Sequence, residues 1–252
     1  MNTSPRILTV AFPNDPALDM ALTSALLDEV AAGTSPDTVR VYRPGPTVAF
    51  GRMDRLAGGF ARACEAARAR DLTPLVRLGG GRAAAYGPDS VIVEVIRAAG
   101  RIGEGLEQRF AELAGLLTDV LGRLGVAVEL GELPGEYCPG RFSLHLLDGP
   151  KVAGIAQRVV AGAALASAVI VVDHGPALRA VIAEVYAALG LEVDPATAGA
   201  ITDRYPGVGT ESVLACAVEA VAERYEPTVS GDPAPQLLQR ARELAPTVEP
   251  HL

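Results

Sequence analysis

The sequence is poor in aromatic residues and in the residues that build metal and disulfide sites. Tryptophan is absent, aromatic residues make up 4% of the 252 positions, and histidine and cysteine occur three times each. Three scattered histidines do not form a metal-binding pattern, so no metal site is expected. Three cysteines without paired spacing exclude a disulfide scaffold and a Cys-rich zinc site, and they indicate a reducing, cytoplasmic location.

Long hydrophobic runs and clusters of positive charge are also missing. No segment reaches the roughly 18 uninterrupted apolar residues of a transmembrane helix, and the N-terminus lacks the pattern of a signal peptide. The formal net charge is −8 and the basic residues are scattered. We therefore expect neither nucleic acid nor an anionic membrane surface as the main partner.

What the sequence does have is aliphatic residues, which suit a large core, since hydrophobic residues make up 49% of the chain. A helix is expected to begin at Asp15, followed by Pro16, and a hairpin to turn at Asp148-Gly149. Apolar runs and helical patterns mix without strict alternation, which predicts an α/β (α+β) fold with a mixed, largely antiparallel sheet flanked by helices. Strands are predicted at ILTVAF, TVRVYRPGPTVAFG (two strands), TPLVRL, SVIVEVIR, VAVEL, RFSLHLL, KVAGIAQRVV and ALASAVIVV.

Beyond residue 174 the pattern becomes helical. Helices are expected at about 177–189, 211–225 and 236–244. We therefore predict one unit over residues 1–175 and a small helical C-terminal segment over 176–252, packed on the first unit or appended to it.

Residues 76–86, VRLGGGRAAAY, place three glycines between a predicted strand and an alanine run. The stretch matches neither the dinucleotide fingerprint G-x-G-x-x-G opening a helix nor a P-loop. Glycine in ordered structure marks a sharp turn or a close backbone approach. Two interpretations follow: an ordinary turn, or a loop that lies over a bound ligand.

Cys138 stands in GEYCPGRFSL, a glycine- and proline-containing stretch that predicts a loop. A thiolate is the reactive form of cysteine, and it exchanges readily with a thioester. The alternative is a cysteine that packs as a small hydrophobic residue. Cys64 and Cys216 fall on helical faces among alanines and are predicted to be packing residues of that kind.

Lys151 begins the strand KVAGIAQRV in a chain with very few lysines. Gly154 and Ala156 follow it, and such small residues allow a ligand to lie against the strand. The ammonium could then stabilise a thiolate, a carboxylate or an oxyanion. A solvated lysine in a turn is the alternative interpretation.

Three segments, VYRPGPTVAFGRMD, VRLGGGRAAAY and KVAGIAQRV, occur in the order and at about the separations seen in the lipoate-protein ligase and octanoyltransferase family. The chain resembles that family over about residues 7–175. The resemblance implies a catalytic fold like that of biotin-protein ligases and class II synthetases, with Cys138 and Lys151 as catalytic residues. The substrate-binding residues that it implies are Arg43, Arg77, Gly79, Gly80, Gly81, Arg82, Tyr86, Gly154, Ala156 and Gln157.

The chain departs from the family pattern at several positions. Val76 stands where an arginine is frequent, and Tyr86 and Gly87 stand where histidine and aspartate are common. The strand ALASAVIVV lacks the expected histidine-glycine pair. These departures count against ATP use more than against acyl binding.

The resemblance implies an octanoyl or lipoyl transferase. Its cysteine thiolate would attack the thioester of an acyl-carrier protein, with Lys151 holding the thiolate and polarising the carbonyl. The acyl group would pass to a lysine of a lipoyl domain, such as the glycine cleavage H protein or a dehydrogenase E2, without a cofactor. An arginine patch drawn from Arg43, Arg52 and Arg82 would dock acidic carriers.

Two other functions stay open from the sequence. One is an ATP-dependent lipoate-protein ligase that uses Mg²⁺ and forms lipoyl-AMP, in which Cys138 is incidental. The other is a non-catalytic protein that binds acyl groups or lipoyl domains and has kept the pocket.

Overall fold

The computed structural model describes residues 5–100, 103–226 and 229–251. Strands and helices follow one another irregularly, with 3₁₀ turns at Pro195–Thr197 and Ile201–Asp203. In chain order the elements are β1 (Arg6–Leu8), α1 (Pro16–Ala31), β2 (Thr38–Tyr42), β3 (Thr47–Phe50), α2 (Arg52–Arg55), α3 (Phe60–Arg68), β4 (Thr73–Val76), β5 (Ala84–Tyr86), β6 (Ser90–Ala98), α4 (Leu106–Arg123), β7 (Val128–Leu130), β8 (Leu144–Leu146), β9 (Lys151–Val160), β10 (Ala163–Val171), α5 (Gly175–Leu189), α6 (Thr210–Tyr225), β11 (Val229–Ser230) and α7 (Pro235–Val248).

The strands form a large sheet and a small one. Within the described ranges, the large sheet has eight strands in the order β11-β1-β2-β6-β10-β9-β8-β7, and the small sheet has three in the order β4-β3-β5. Neighbours in the large sheet are antiparallel, except that β1 pairs in parallel with β2 and β11. The predicted fold class, a mixed and largely antiparallel sheet flanked by helices, is confirmed.

Two local structures form where the sequence predicts them. The Asp15 carboxylate accepts a hydrogen bond from the Leu18 N–H at 3.0 Å and caps α1, whose first residue is Pro16. Asp148 adopts a φ of 49° in the turn that precedes Gly149, a conformation that aspartate tolerates better than most residues. The strands on either side of this turn, β8 and β9, pair antiparallel, so the predicted hairpin is confirmed.

Helices cover both faces of the large sheet. α4 and α6 pack on the face that carries Val39 and Val93. α1 packs on the opposite face against Ile96 and Leu165, α7 packs on α1, and α3 and α5 enclose a third core against the small sheet. The three predicted C-terminal helices are present and contribute to all three cores, while the predicted boundary at residue 175 stays a prediction. Within the described ranges, no helix combines the length and apolarity needed to cross a bilayer.

β5 is the strand of the small sheet that the sequence pattern does not indicate. The alanine run after the three glycines forms β5, which pairs antiparallel with β3, although alanine favours helix. β4 pairs in parallel with the other edge of β3. The glycine loop, residues 77–83, therefore leaves one edge of this sheet and returns to the other, so both of its ends are fixed.

Candidate active site

A cavity of about 510 Å³ lies between the large sheet, α1, the small sheet and the glycine loop. Its floor is one face of the large sheet, where residues in direct register form two rows across β9, β10, β6 and β2. Gly154 and Ala156 stand at the β9 end of these rows, and their small size leaves the floor open there. The rows are Gly154, Val169, Ile92, Tyr42 and Ala156, Ser167, Glu94, Arg40.

The glycine loop lies directly on strand β9. A Cβ on Gly79 would stand 2.9 Å from the Cβ of Ala156, which is closer than two carbon atoms can pack. The N–H of Gly80 donates to the Gln157 carbonyl at 3.2 Å. The close approach of loop and strand therefore depends on small residues on both sides.

The last glycine of the loop makes room for the thiol of Cys138. Gly81 has a φ of 97°, and a Cβ there would stand 2.6 Å from Nη2 of Arg77 and 2.7 Å from Sγ of Cys138. Arg77 donates from Nη2 to Sγ at 3.1 Å, and the Arg82 N–H donates to Sγ at 3.3 Å. The sulfur thus sits at the cavity between a guanidinium and a backbone donor.

The surroundings of Cys138 lower the pKa of its thiol. Burial is the largest effect and opposes ionisation, but the charges of Arg77 and Lys151 and the hydrogen bonds to the sulfur together outweigh it. Burial instead raises the pKa of Cys64 to about 11, and it also raises the pKa of Cys216. Of the three cysteines, Cys138 is the one whose environment favours the nucleophilic thiolate.

The backbone of Cys138 is held in an uncommon conformation. Its φ of 43° lies in the left-handed region, which costs free energy for a residue with a side chain. The Cys138 N–H donates to the Tyr186 hydroxyl at 2.7 Å, and that hydroxyl donates to the Ala83 carbonyl at 3.0 Å. Tyr186, which lies on α5, therefore fixes the backbone of the cysteine.

Lys151 is the single lysine in the sequence, and it is buried beneath the Cys138 loop. Its Nζ donates to Oε1 of Glu136 at 3.0 Å, to the Tyr137 carbonyl at 3.0 Å and to the Cys138 carbonyl at 2.8 Å. These acceptors use all three N–H donors of the ammonium. Lys151 therefore fixes the backbone of Cys138 and adds positive charge near its thiol, while the predicted contact with an acyl carbonyl stays a prediction.

Glu136 organises the Cys138 loop, a role that was not predicted from the sequence. Its side chain is fully buried, and Oε1 accepts hydrogen bonds from the Ser143 hydroxyl at 2.7 Å and the Gly140 N–H at 3.2 Å as well as from Lys151. Oε2 accepts from the Leu133 N–H at 3.0 Å. Its position two residues before the cysteine is the only hint in the sequence, because the contacts themselves are formed by folding.

The far end of the floor carries buried polar side chains that were not predicted as site residues. Arg40 pairs with Asp19 and lies 3.8 Å from Glu94. Glu94 accepts from the Thr23 hydroxyl at 2.7 Å and from the Ser167 hydroxyl at 3.4 Å. Burial raises the pKa of Glu94, although Arg40 and Thr23 oppose the shift. A lone carboxylate in the apolar strand SVIVEVIR could have identified this residue.

The structure brings most of the predicted site residues to one cavity, although their roles in binding stay predictions. The Gln157 backbone faces the glycine loop, but its side chain accepts from Arg109 Nε at 3.0 Å and donates to the Leu106 carbonyl at 2.8 Å, both at the start of α4. The predicted residues that line the cavity are Arg77, Gly79, Gly80, Gly81, Tyr86, Cys138, Lys151, Gly154, Ala156 and Gln157.

Two predicted arginines have other positions. The Arg82 side chain turns from the cavity to the buried carboxylate of Asp54 at 3.2 Å, so only its backbone N–H contacts the thiol. Arg43 pairs with Glu211 on α6 and donates from Nε to the Pro88 carbonyl at 2.9 Å. It is not among the described residues that line the cavity.

Comparisons with known proteins identify the family of the chain. The family model of the lipoyl protein ligase A/B catalytic domain matches residues 15–188. Octanoyl-[GcvH]:protein N-octanoyltransferase of Geobacillus kaustophilus is 30% identical over 176 residues, which are 70% of this chain and 62% of that protein. The chain thus spans about 60% of the length of the curated relatives it matches.

Solved structures show the same fold at lower identity. Lipoate-protein ligase A bound with ATP superposes with a TM-score of 0.77 at 18% identity, covering 97% of this chain and 95% of that chain. A bipartite lipoate protein ligase, studied with its E2 lipoyl domain from Thermoplasma acidophilum, gives a TM-score of 0.71 at 18% identity, covering 97% and 92%. The likeness extends beyond residue 188, into the C-terminal helices.

Proposed function

The chain belongs to the lipoyl protein ligase A/B catalytic domain family, and from this premise we propose that it is a cysteine-dependent acyltransferase of protein lipoylation. The observation that carries the proposal is the thiol of Cys138, which lies at an acyl-sized cavity between Arg77 and the Arg82 N–H. The lowered pKa of this thiol suits a nucleophile, whereas a binding protein or an ATP-dependent ligase needs no nucleophilic cysteine.

In the first step the Cys138 thiolate attacks the carbonyl carbon of the acyl donor. With a thioester donor, the new C–S bond to the enzyme forms as the C–S bond to the carrier breaks, and the carrier leaves as a thiolate. Negative charge moves from sulfur to the carbonyl oxygen in the transition state. Arg77 and the Arg82 N–H, which stabilise the thiolate at rest, are the nearest donors for that oxygen.

In the second step the ε-amine of an acceptor lysine attacks the acyl-enzyme. The C–N bond forms, the C–S bond to Cys138 breaks, and the proton lost by the amine goes to the departing thiolate or to water. The product is an amide and the enzyme regains its free cysteine. Arg77 again stabilises the leaving sulfur, so the same group serves both steps.

The floor fits a medium-length acyl chain. From Ala156 to Glu94 it crosses two strand spacings, about 10 Å at about 4.8 Å each. An extended eight-carbon chain spans about 9 Å, because each of its seven bonds of about 1.5 Å advances about 1.3 Å along the zigzag. A longer chain would have to bury methylene groups against the Glu94 carboxylate, which disfavours it. We therefore propose an octanoyl or lipoyl group as the acyl group.

The donor and acceptor are proteins in this proposal. The relatives' name, octanoyl-[GcvH]:protein N-octanoyltransferase, points to octanoylated GcvH as a donor, and an acyl-carrier protein thioester is the donor expected from the sequence. With octanoyl-GcvH the first step breaks the C–N bond to the donor lysine, the departing amine takes up a proton from water, and the second step returns a proton, so the overall reaction exchanges one amide for another. The E2 lipoyl domain of the Thermoplasma system supports a lipoyl domain as acceptor. Neither route needs ATP or Mg²⁺.

An ATP-dependent lipoate-protein ligase is the second candidate, because the fold is also that of a lipoate-protein ligase solved with ATP. A reconstituted transfer assay separates the two. The purified protein is mixed with octanoyl-carrier protein or octanoyl-GcvH and an apo lipoyl domain, and octanoylated lipoyl domain is measured by intact mass. We expect product without ATP, and a loss of at least about 1,000-fold in Cys138→Ser.

Two other results would contradict the proposal. Product that appears only with free octanoate or lipoate, ATP and Mg²⁺, and at the same rate in Cys138→Ser, identifies a ligase. Stable binding of octanoate or of the lipoyl domain without product under either condition identifies a non-catalytic binding protein.

A further inference from the structure

The short helix α2 presents a positively charged and apolar surface beside the candidate active site. We define the α2 surface by Arg52, Met53, Arg55 and Leu56. Met53 is 61% exposed and Leu56 is 75% exposed, and both arginines are exposed as well. Met53 and Leu56 are three residues apart, a spacing that places two side chains on the same side of a helical turn, so both can contact one partner.

The α2 surface is fixed to the loop that contacts the thiol. Asp54, the fully buried residue of α2, accepts from the Gly51 N–H at 2.9 Å and from Arg82 Nη1 at 3.2 Å. Gly51 lies so close to the glycine loop that a Cβ on it would stand 1.9 Å from the Gly81 carbonyl oxygen. The helix therefore sits directly behind residues 81–82, whose backbone borders Sγ of Cys138.

The charge of this surface is opposite to that of the whole chain, which carries a formal net charge of −8. The only acidic residue between positions 51 and 62, Asp54, points inward to Arg82. Among the described residues, no carboxylate pairs with Arg52 or Arg55. The two guanidinium groups are thus available to a partner.

We propose that the α2 surface docks the acceptor domain, a protein that presents its target lysine on a surface rich in acidic side chains. This inference rests on the proposed function. Met53 and Leu56 would supply the apolar centre of the contact and the two arginines its charged rim, the usual arrangement in protein–protein interfaces. Such a small contact suits a transient encounter, in which the acceptor must leave after each turnover.

The test separates docking from chemistry. The double variant Arg52→Glu/Arg55→Glu and the double variant Met53→Ser/Leu56→Ser are compared with wild type. Acylation by octanoyl-CoA and discharge of the acyl-enzyme to hydroxylamine are small-molecule reactions, so we expect both rates to stay at wild-type values. Transfer to an apo E2 lipoyl domain should lose about 10-fold or more in kcat/KM, and the charge variant should lose most of the salt dependence of that step.

The control is Arg240→Glu/Arg242→Glu on α7, which changes the charge by the same amount at exposed positions and, in the part of the chain that the structure describes, removes only the surface ion pair of Arg240 with Glu243. Among the described residues, neither the α2 surface nor α7 lines the cavity, but α7 packs on α1, whereas α2 sits behind residues 81–82. We expect this control to transfer at the wild-type rate. An equal loss in the control would show general charge steering and would overturn the proposal.

Two further outcomes would refute the docking site, and a third would refute the proposed function. Wild-type transfer kinetics in both α2 variants would refute the docking site while leaving the acyltransferase intact. A parallel loss of octanoyl-CoA acylation would show that α2 acts on the chemistry, which also refutes docking. Absence of any acyl-enzyme in the wild type would instead refute the proposed function on which the inference rests.

Discussion

Adding one methyl group at Gly81 should disable Cys138 without unfolding the protein. A Cβ at this position would stand 2.7 Å from Sγ and 2.6 Å from Nη2 of Arg77. The sulfur must retreat by about 0.7 Å to regain ordinary van der Waals contact. Displacements of about 1 Å at a reacting atom cost about 100-fold in rate, so we expect Gly81→Ala to slow acylation by octanoyl-CoA by about that factor.

The same substitution strains the backbone, because Gly81 has a φ of 97°. Placing alanine there costs about 1–3 kcal/mol. In a chain of this size each kcal/mol lowers Tm by roughly 2–4 °C, so the variant should stay folded at room temperature. Calorimetry therefore checks that the loss of rate is local.

Alkylation of the thiol by iodoacetamide gives a readout that needs no substrate. In Gly81→Ala the sulfur moves away from Arg77 and the Arg82 N–H, so its pKa should rise and the alkylation profile should shift to higher pH. Gly80→Ala is the control, because a Cβ at that glycine meets no protein atom within 4 Å, and its alkylation profile should match wild type. Wild-type acylation and alkylation in Gly81→Ala would refute the assigned geometry of the thiol.

Three further predictions follow from the charges of the site. In Arg77→Met the pKa of the Cys138 thiol should rise, because fewer positive charges then offset the effect of burial. Alkylation of the thiol at neutral pH should therefore slow, and Arg77→Lys should give an intermediate rate. A pH profile of alkylation equal to that of wild type would exclude Arg77 as the stabilising cation. Glu136→Gln should lower the free energy of unfolding by about 3–5 kcal/mol in urea titrations, because the buried Lys151 ammonium loses its counter-charge. A urea unfolding midpoint equal to that of wild type would contradict the ion pair. Dodecanoyl-CoA should acylate the enzyme at a rate at least about 10-fold below that of octanoyl-CoA, because its tail must pass the Glu94 carboxylate. Glu94→Leu should reduce the difference between the two rates. Equal rates in the wild type would show that the acyl tail lies elsewhere.

The features that the sequence predicts are those determined by local chemistry. Asp15 and Pro16 mark the start of α1, and the Asp148-Gly149 turn marks the hairpin, because capping and turn preferences act within a few residues. The glycine loop could be recognised because three consecutive glycines are costly unless a close approach requires them. Strand β9, which lies beneath this loop, could be recognised in the same way, from the small residues that follow Lys151 in the sequence.

The features that the sequence does not predict depend on long-range contacts. β5 is an alanine run that becomes a strand only because β3 lies beside it. Arg43 could be read as a binding residue, but Glu211, far along the chain on α6, takes its guanidinium. Glu136 and Lys151 are separated by a loop whose path no pattern specifies, so their ion pair is known only from the structure.

The most direct test of the account is intact-protein mass spectrometry after incubation with octanoyl-carrier protein or octanoyl-GcvH, comparing wild type with Cys138→Ser. We expect one octanoyl adduct that hydroxylamine removes and that is absent from the variant. Because Lys151 is the single lysine in the chain, an adduct that resists hydroxylamine would have to be sought there or at the N-terminus. A resistant adduct, or none from an active donor together with ATP-dependent formation of octanoyl-AMP, would contradict the cysteine mechanism.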